Sequence, residues 1–139
     1  MISFTLDNRL DHSSLFIAER DEFQIRLVND KRYIWLLMIP MLADIRELDD
    51  LAPKSQLALI TYASQLSSQL KSSFQADKMN IATIGNIVSQ FHLHIIARHT
   101  TDEAWPDPVW GRGTAIPYDE DEAQLLIVKL QTYINSLSH

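Results

Sequence analysis

Between residues 53 and 74 the chain keeps a single apolar rhythm. Leu57, Ile60, Ala63, Leu66, Leu70 and Phe74 recur at three- and four-residue steps, with Ser, Gln and Lys between them. That spacing predicts an amphipathic helix of about five turns or more, with a polar outer face. Pro53 suits the first helical position, and Asp49 and Asp50 ahead of it complement the helix dipole. A helix with one apolar stripe has to bury it, and the flanking segments say against what.

Upstream, Phe23, Ile25 and Leu27 alternate with Gln24, Arg26 and Val28, the period of a strand. Asn29-Asp30 reads as a tight turn and residues 32–39 as a second, more buried strand, which closes a hairpin. Pro40 ends it, having no N–H for the ladder. Downstream, residues 80–83 predict a short strand, Gly85-Asn86 a turn, and residues 88–98 a longer strand. Trp105-Pro106-Asp107-Pro108-Val109-Trp110-Gly111-Arg112-Gly113 can be neither helix nor central strand. Asp119 and Glu122 form a capping-box pattern, and Ala123, Leu126, Leu130, Ile134 and Leu137 continue it as a closing amphipathic helix. There is no repeat and no linker. The order β-β-α-β-β-loop-α predicts one α+β domain over residues 1–139, built on an antiparallel sheet.

At 139 residues such a domain buries roughly 68% of its unfolded surface, enough for a core without staples. The chain has no cysteine, which excludes disulfides, thiolate zinc sites and a cysteine nucleophile. Eighteen acidic against twelve basic residues give a net charge of −6. This argues against a stable nucleic-acid complex or adhesion to an anionic membrane, though not against a small anion held by a few local donors. The start, residues 1–7, lacks the basic stretch and apolar run of a signal peptide. The most apolar run, residues 33–42, contains Pro40 and falls far short of the ~20 residues a spanning helix needs. The expectation is a cytoplasmic protein with no membrane partner.

Chemistry concentrates in Gln90-Phe91-His92-Leu93-His94-Ile95-Ile96-Ala97-Arg98. On a strand, residues 91, 93 and 95 share one face, here Phe, Leu and Ile, and residues 90, 92 and 94 share the other. Two imidazoles and a carboxamide thus stand along one side, roughly 6.5–7 Å apart. The same pattern describes a solvated polar face. It also describes a His-x-His metal site, although His99 faces the other way and no carboxylate supplies a third ligand.

These residues resemble the signature of the histidine-triad (HIT) family, His-φ-His-φ-His-φ-φ with φ apolar, except that Gln90 stands at the first histidine. The hairpin ending in Leu36-Leu37-Met38-Ile39-Pro40, the long helix, the strand at Asn80 and the Gly85-Asn86 turn fall in the family's order. The likeness covers roughly residues 1–112. Trp105 to Gly111 is similar to the Trp-Pro-x-Pro-Val-Trp-Gly stretch of a bacterial HIT-like subgroup, in which Gln at the first motif position is usual. The resemblance implies a HIT-like fold: about five antiparallel strands, one long helix and a C-terminal helix. It implies nucleotide chemistry at an α-phosphate through a covalent nucleotidyl-histidine, with no metal and no cofactor. Substrates would be dinucleoside polyphosphates, adenylates or nucleoside phosphoramidates.

By motif position His92 is then the nucleophile, with Nδ1–H held by a backbone carbonyl of its own strand. His94 is the group that meets a phosphate oxygen or the leaving group, and Gln90 completes the catalytic set as a positioning side chain. Asn80, Gly85, Asn86 and Arg98 are the candidate nucleotide-binding residues, Gly85 by permitting close backbone approach and Asn86 by tolerating a left-handed conformation. Ile87 stands where many members carry a phosphate-binding hydroxyl. Strand-end and turn residues of these types also serve structure alone. The Trp105–Trp110 segment reads either as a loop pinned by its indoles or as an aromatic wall for the base. Trp35, five residues before Pro40, replaces a further histidine of many members; its N–H is expected to seek the Gln90 amide oxygen. The resemblance implies a homodimer whose sheets join edge to edge. The alternative to an enzyme is a nucleotide-binding or interaction module that keeps both histidines without turnover.

Overall fold

The computed structural model describes residues 3–139; Met1 and Ile2, at the start of the segment read for a signal peptide, lie outside the described residues. A short helix α1 (Asn8–Ser13) leads into β1 (Ser14–Arg20), β2 (Phe23–Val28) and β3 (Ile34–Pro40). The long helix α2 (Pro53–Ser73) follows, then β4 (Lys78–Thr83), β5 (Leu93–Arg98) and the closing helix α3 (Glu120–Asn135). The five strands form one antiparallel sheet in the order β1-β2-β3-β5-β4. This is the α+β architecture the sequence predicts, with Pro53 opening α2 and the Asp119–Glu122 capping box opening α3.

One strand escapes the sequence pattern. In β1 the pairing register shifts between Phe16 and Ala18, so burial along Ser14–Arg20 does not alternate. The bulge lets Ile17 reach the core while Phe16 stays half exposed, which erases the period-two signal. On α2 the buried stripe is Leu59, Tyr62, Ala63, Leu66 and Leu70 rather than one that includes Leu57 and Ile60. Leu57 is 71% exposed. It lies about 200° around the helix from Leu59, on the side away from the sheet. A three-and-four ladder admits a residue at each margin, and only the partner surface decides which belong.

The main core fills the space between α2, α3 and one sheet face, where Phe23, Ile25, Leu36, Met38, Leu93 and Ile95 are buried. The other face has two smaller covers. The N-terminal segment and α1 bring Leu10, with Phe4 and Leu6, onto Leu37, Ile39 and Val88. The segment after β5 brings Ala104, Val109 and Trp110 onto Tyr33, Trp35 and Ile96.

The second cover is pinned at its base. Arg98, 1% exposed, donates from Nε and Nη2 to the two Asp102 carboxylate oxygens at 2.8 and 3.0 Å, and to the Asp107 carbonyl at 2.8 Å. Asp102 also accepts from the His99 and Trp105 backbone N–H groups. Removing one member of a buried pair leaves the other charge uncompensated, at a cost of about 3–5 kcal/mol. Asp102→Ala should therefore lower the free energy of unfolding in urea by about 3–5 kcal/mol. It should also free the Trp105–Trp110 segment for limited proteolysis before the sheet unfolds.

Candidate active site

His92 and His94 sit where the two outer covers meet. His94 is placed by the ladder on both sides, opposite Leu37 of β3 and Ala82 of β4. His92 precedes the paired part of β5, since residues 88–92, expected to be strand, run unpaired into the sheet and only 93–98 are laddered. The chain is anchored there instead by the Phe91 N–H donating to the Ile45 carbonyl at 2.9 Å. The two imidazoles are not displayed to solvent: His92 is 6% and His94 5% exposed. Their rings meet edge to face at 4.8 Å.

Each imidazole has its proton assigned by a neighbour. His92 Nδ1 lies 2.7 Å from the Gln90 carbonyl. A carbonyl only accepts, so Nδ1 carries the hydrogen and the lone pair is left on Nε2. His94 Nδ1 lies 3.0 Å from Trp35 Nε1. An indole N–H only donates, so here Nδ1 is the acceptor and the hydrogen sits on Nε2, which is buried without a hydrogen-bond partner among the described residues. Burial first, and the adjacent His92 second, push the His94 pKa down to about 3, opposed in part by the Ile84 carbonyl. His94 is neutral at physiological pH.

The expected partner of Trp35 is thus corrected. Its N–H bonds His94, and Gln90 turns the other way. The Gln90 amide oxygen accepts from the Asp7 N–H at 2.9 Å and its Nε2 donates to the Thr5 carbonyl at 2.8 Å. Those two backbone groups flank Leu6, so the side-chain amide pairs with the N-terminal segment as one rung of a ladder would. Asp7, missed in the sequence, caps α1 through the Arg9 N–H and holds the Arg9 guanidinium. Arg9 in turn donates to the Ile87 carbonyl at 3.0 Å, closing the N-terminal segment over the turn that precedes His92. An Asp before a short helix is a capping signal, but nothing in the sequence aims it at residue 90.

Asn80 and Arg98 come together, though away from the histidines. Asn80 lies opposite Ile96 and its Oδ1 accepts from Arg98 Nη1 at 2.9 Å, beneath the Trp105 segment. With four bonds already made, Arg98 serves that buried network. Gly85 has a local role: a Cβ there would stand 3.1 Å from the Val88 carbonyl, so its absence keeps the 85–88 turn tight. Asn86 is exposed and does not adopt the left-handed conformation it was expected to supply. The Trp segment is pinned to the domain through its indoles. Trp105 stacks beneath on Arg98, while Trp110 packs edge to face on His94 at 4.9 Å and on Trp35 at 5.9 Å.

Trp35 and Trp110, which touch His94, also wall an open cavity of about 460 Å³ that neither His92 nor His94 lines; His12, Asn29, Asp30 and Arg32 line it further. Its volume is in the range of sites for drug-sized ligands. Among the described residues no three His, Asp or Glu side chains cluster as metal ligands, and His92 and His94 have no third partner for an ion. Nor is any helix among them long and apolar enough to cross a membrane.

Comparison with known proteins agrees with this geometry. The HIT domain family model matches residues 9–101. A histidine triad protein from Sinorhizobium meliloti 1021 is 40% identical, with 94% of this chain and 96% of that one covered and a TM-score of 0.90. One from Marinobacter aquaeolei VT8 is 36% identical over 98% and 99% of the two chains, with a TM-score of 0.95. One from Bradyrhizobium japonicum is 38% identical over 96% and 99%, with a TM-score of 0.92. A search of curated proteins returns no match. The chain belongs to the histidine-triad family, whose members are generally nucleotide-binding hydrolases and transferases.

The state of His94 sets a pH dependence. In the unfolded chain its imidazole takes a proton near 6.5, whereas the folded one resists until about 3. The unfolded state therefore binds more protons between those values, and stability falls as pH drops through that window. Between pH 7 and pH 5 the contribution lost is about 2 kcal/mol. Urea denaturation at the two pH values should show it in the wild type, and His94→Gln, which accepts from Trp35 but does not titrate, should lose that part of the slope.

Proposed function

We propose that the protein is a nucleotidyl hydrolase or transferase that works through a covalent nucleotide on His92. The observation that carries this reading is the His92 Nδ1–H bond to the Gln90 carbonyl, which fixes the tautomer whose lone pair lies on Nε2, the nitrogen that attacks. Such an imidazole attacks phosphorus near pH 7 without activation by a metal. Nε2 forms a bond to the α-phosphorus as the bond to the leaving group breaks. Water then attacks the same phosphorus, the N–P electron pair returns to His92, and the nucleoside monophosphate leaves as the proton of the attacking water is lost to solvent. His94 Nε2–H, unpartnered in the free protein, donates to a non-bridging phosphate oxygen as charge builds there. The cavity walled by Trp35 and Trp110 takes the nucleoside, its indoles stacking on the base. The Gly85-Asn86 turn offers backbone N–H groups to the phosphate. The substrate is a dinucleoside polyphosphate, an adenylate or a nucleoside phosphoramidate.

The assembly is a homodimer. Both sheet edges, β1 and β4, present unpaired backbone, and β4 carries the half-exposed Ile81. Pairing edges between two copies protects them. Light scattering at micromolar concentration should give about twice the chain mass, and a monomer at every concentration would remove the dimer while leaving the chemistry untouched.

Incubation with the substrate panel should add one nucleoside monophosphate to the wild type by mass spectrometry. His92→Ala should abolish the adduct and lower turnover by several powers of ten. His94→Ala should cost about 10²–10³, the scale of one lost oxyanion donor. Nucleotide binding with no adduct at any time would instead identify a binding module.

A further inference from the structure

The hydrogen bond from Trp35 to His94 restricts the reaction more than the two histidines alone do. A neutral imidazole exists as two tautomers, and an imidazolium carries hydrogens on both nitrogens. With Trp35 Nε1–H pointing at Nδ1 from 3.0 Å, either a hydrogen on Nδ1 or a full imidazolium would set two hydrogens against each other. Two of the three states are thereby excluded, leaving neutral imidazole with Nε2–H. Edge-to-face packing against Trp110 and against His92 holds the imidazole in that orientation. A histidine at position 35, which can donate or accept, would let the proton move between rings. The indole cannot.

We propose that Trp35 is a positioning residue that locks His94 as a fixed neutral donor, and that the enzyme is therefore selective for nucleotide anhydrides over phosphoramidates. This rests on the nucleotidyl-His92 reading and deepens it. When Nε2 of His92 bonds the α-phosphorus of an anhydride, the P–O electron pair departs on a phosphate or carboxylate, a stable anion that needs no proton. An amine leaving a phosphoramidate must be protonated on nitrogen as the P–N bond breaks. His94 cannot give that proton without becoming an imidazolate. Asp7, which lies close enough to feel the charge of His92, is a carboxylate held ionised by Arg9, its pKa about 2, so it has none to give. Anhydride cleavage uses what this site holds, namely a hydrogen-bond donor for the phosphoryl oxygen.

Two measurements test this. Nitrogen-15 NMR of the wild-type His94 ring should show the Nε2–H tautomer with no protonation between pH 5 and 8. An Nδ1–H tautomer, or an imidazolium titrating in that range, would overturn the lock and needs no variant. In the second, diadenosine tetraphosphate and adenosine 5′-phosphoramidate are compared by kcat/KM, each normalised to its spontaneous hydrolysis in buffer. The anhydride should lead by tenfold or more, and Trp35→His should shift the ratio toward the phosphoramidate by about tenfold, acting on kcat rather than KM. Equal use of both substrates by the wild type, or an unchanged ratio in a folded Trp35→His protein, would overturn the selectivity. Turnover of neither substrate with the tautomer locked would count against the nucleotidyl-histidine reading and leave the role of Trp35 standing.

Discussion

The burial of two imidazoles on the sheet face opposite the two long helices is the constraint around which the outer half of this molecule is built. A sheet of this class buries one face under its helices and ordinarily leaves the other wet. Here β5 runs between β3 and β4 with His94 in the middle of the outer face, and the chain supplies two separate covers to dry it. The N-terminal segment closes from one side and the Trp105–Trp110 segment from the other. Trp35 belongs to both clusters. Its single N–H therefore links the packing of the covers to the protonation of a site residue.

Each cover has its own fastening, and both run through residues next to the histidines in sequence. Gln90 holds His92 with its backbone carbonyl and the N-terminal segment with its side chain. Arg98, four residues past His94, holds the tryptophan segment through Asp102 and Asp107. One nine-residue stretch thus organises the nucleophile, the donor and both walls around them. A histidine at position 90 would offer its donor and acceptor in diverging directions. The Gln amide presents them side by side, as a peptide group does, which suits the pairing with Thr5 and Asp7.

The buried imidazole carries a cost of its own. An unpartnered Nε2 in a dry site is an unfavourable feature for stability, and such features collect where function requires them. The same dryness strengthens any hydrogen bond that Nε2 makes to an incoming phosphoryl oxygen.

Much of the architecture was legible along the chain because local rules dictate it. The hairpin, the helix that Pro53 opens, the capping box at Asp119 and the loop character of residues 105–113 follow from periodicity and backbone chemistry within a few residues. The spacing of His92 and His94 with apolar neighbours marked the chemical strand. Tertiary structure alone decided the rest. Which apolar residues of α2 are core depended on the sheet beneath, so Leu57 is exposed despite fitting the ladder. A bulge hid β1. The partners of Gln90, Trp35 and Arg98 were beyond reach, because a hydrogen bond across tens of residues depends on register and on which loop covers a face. Sequence determines what a side chain can donate or accept; only the packed chain determines who receives it.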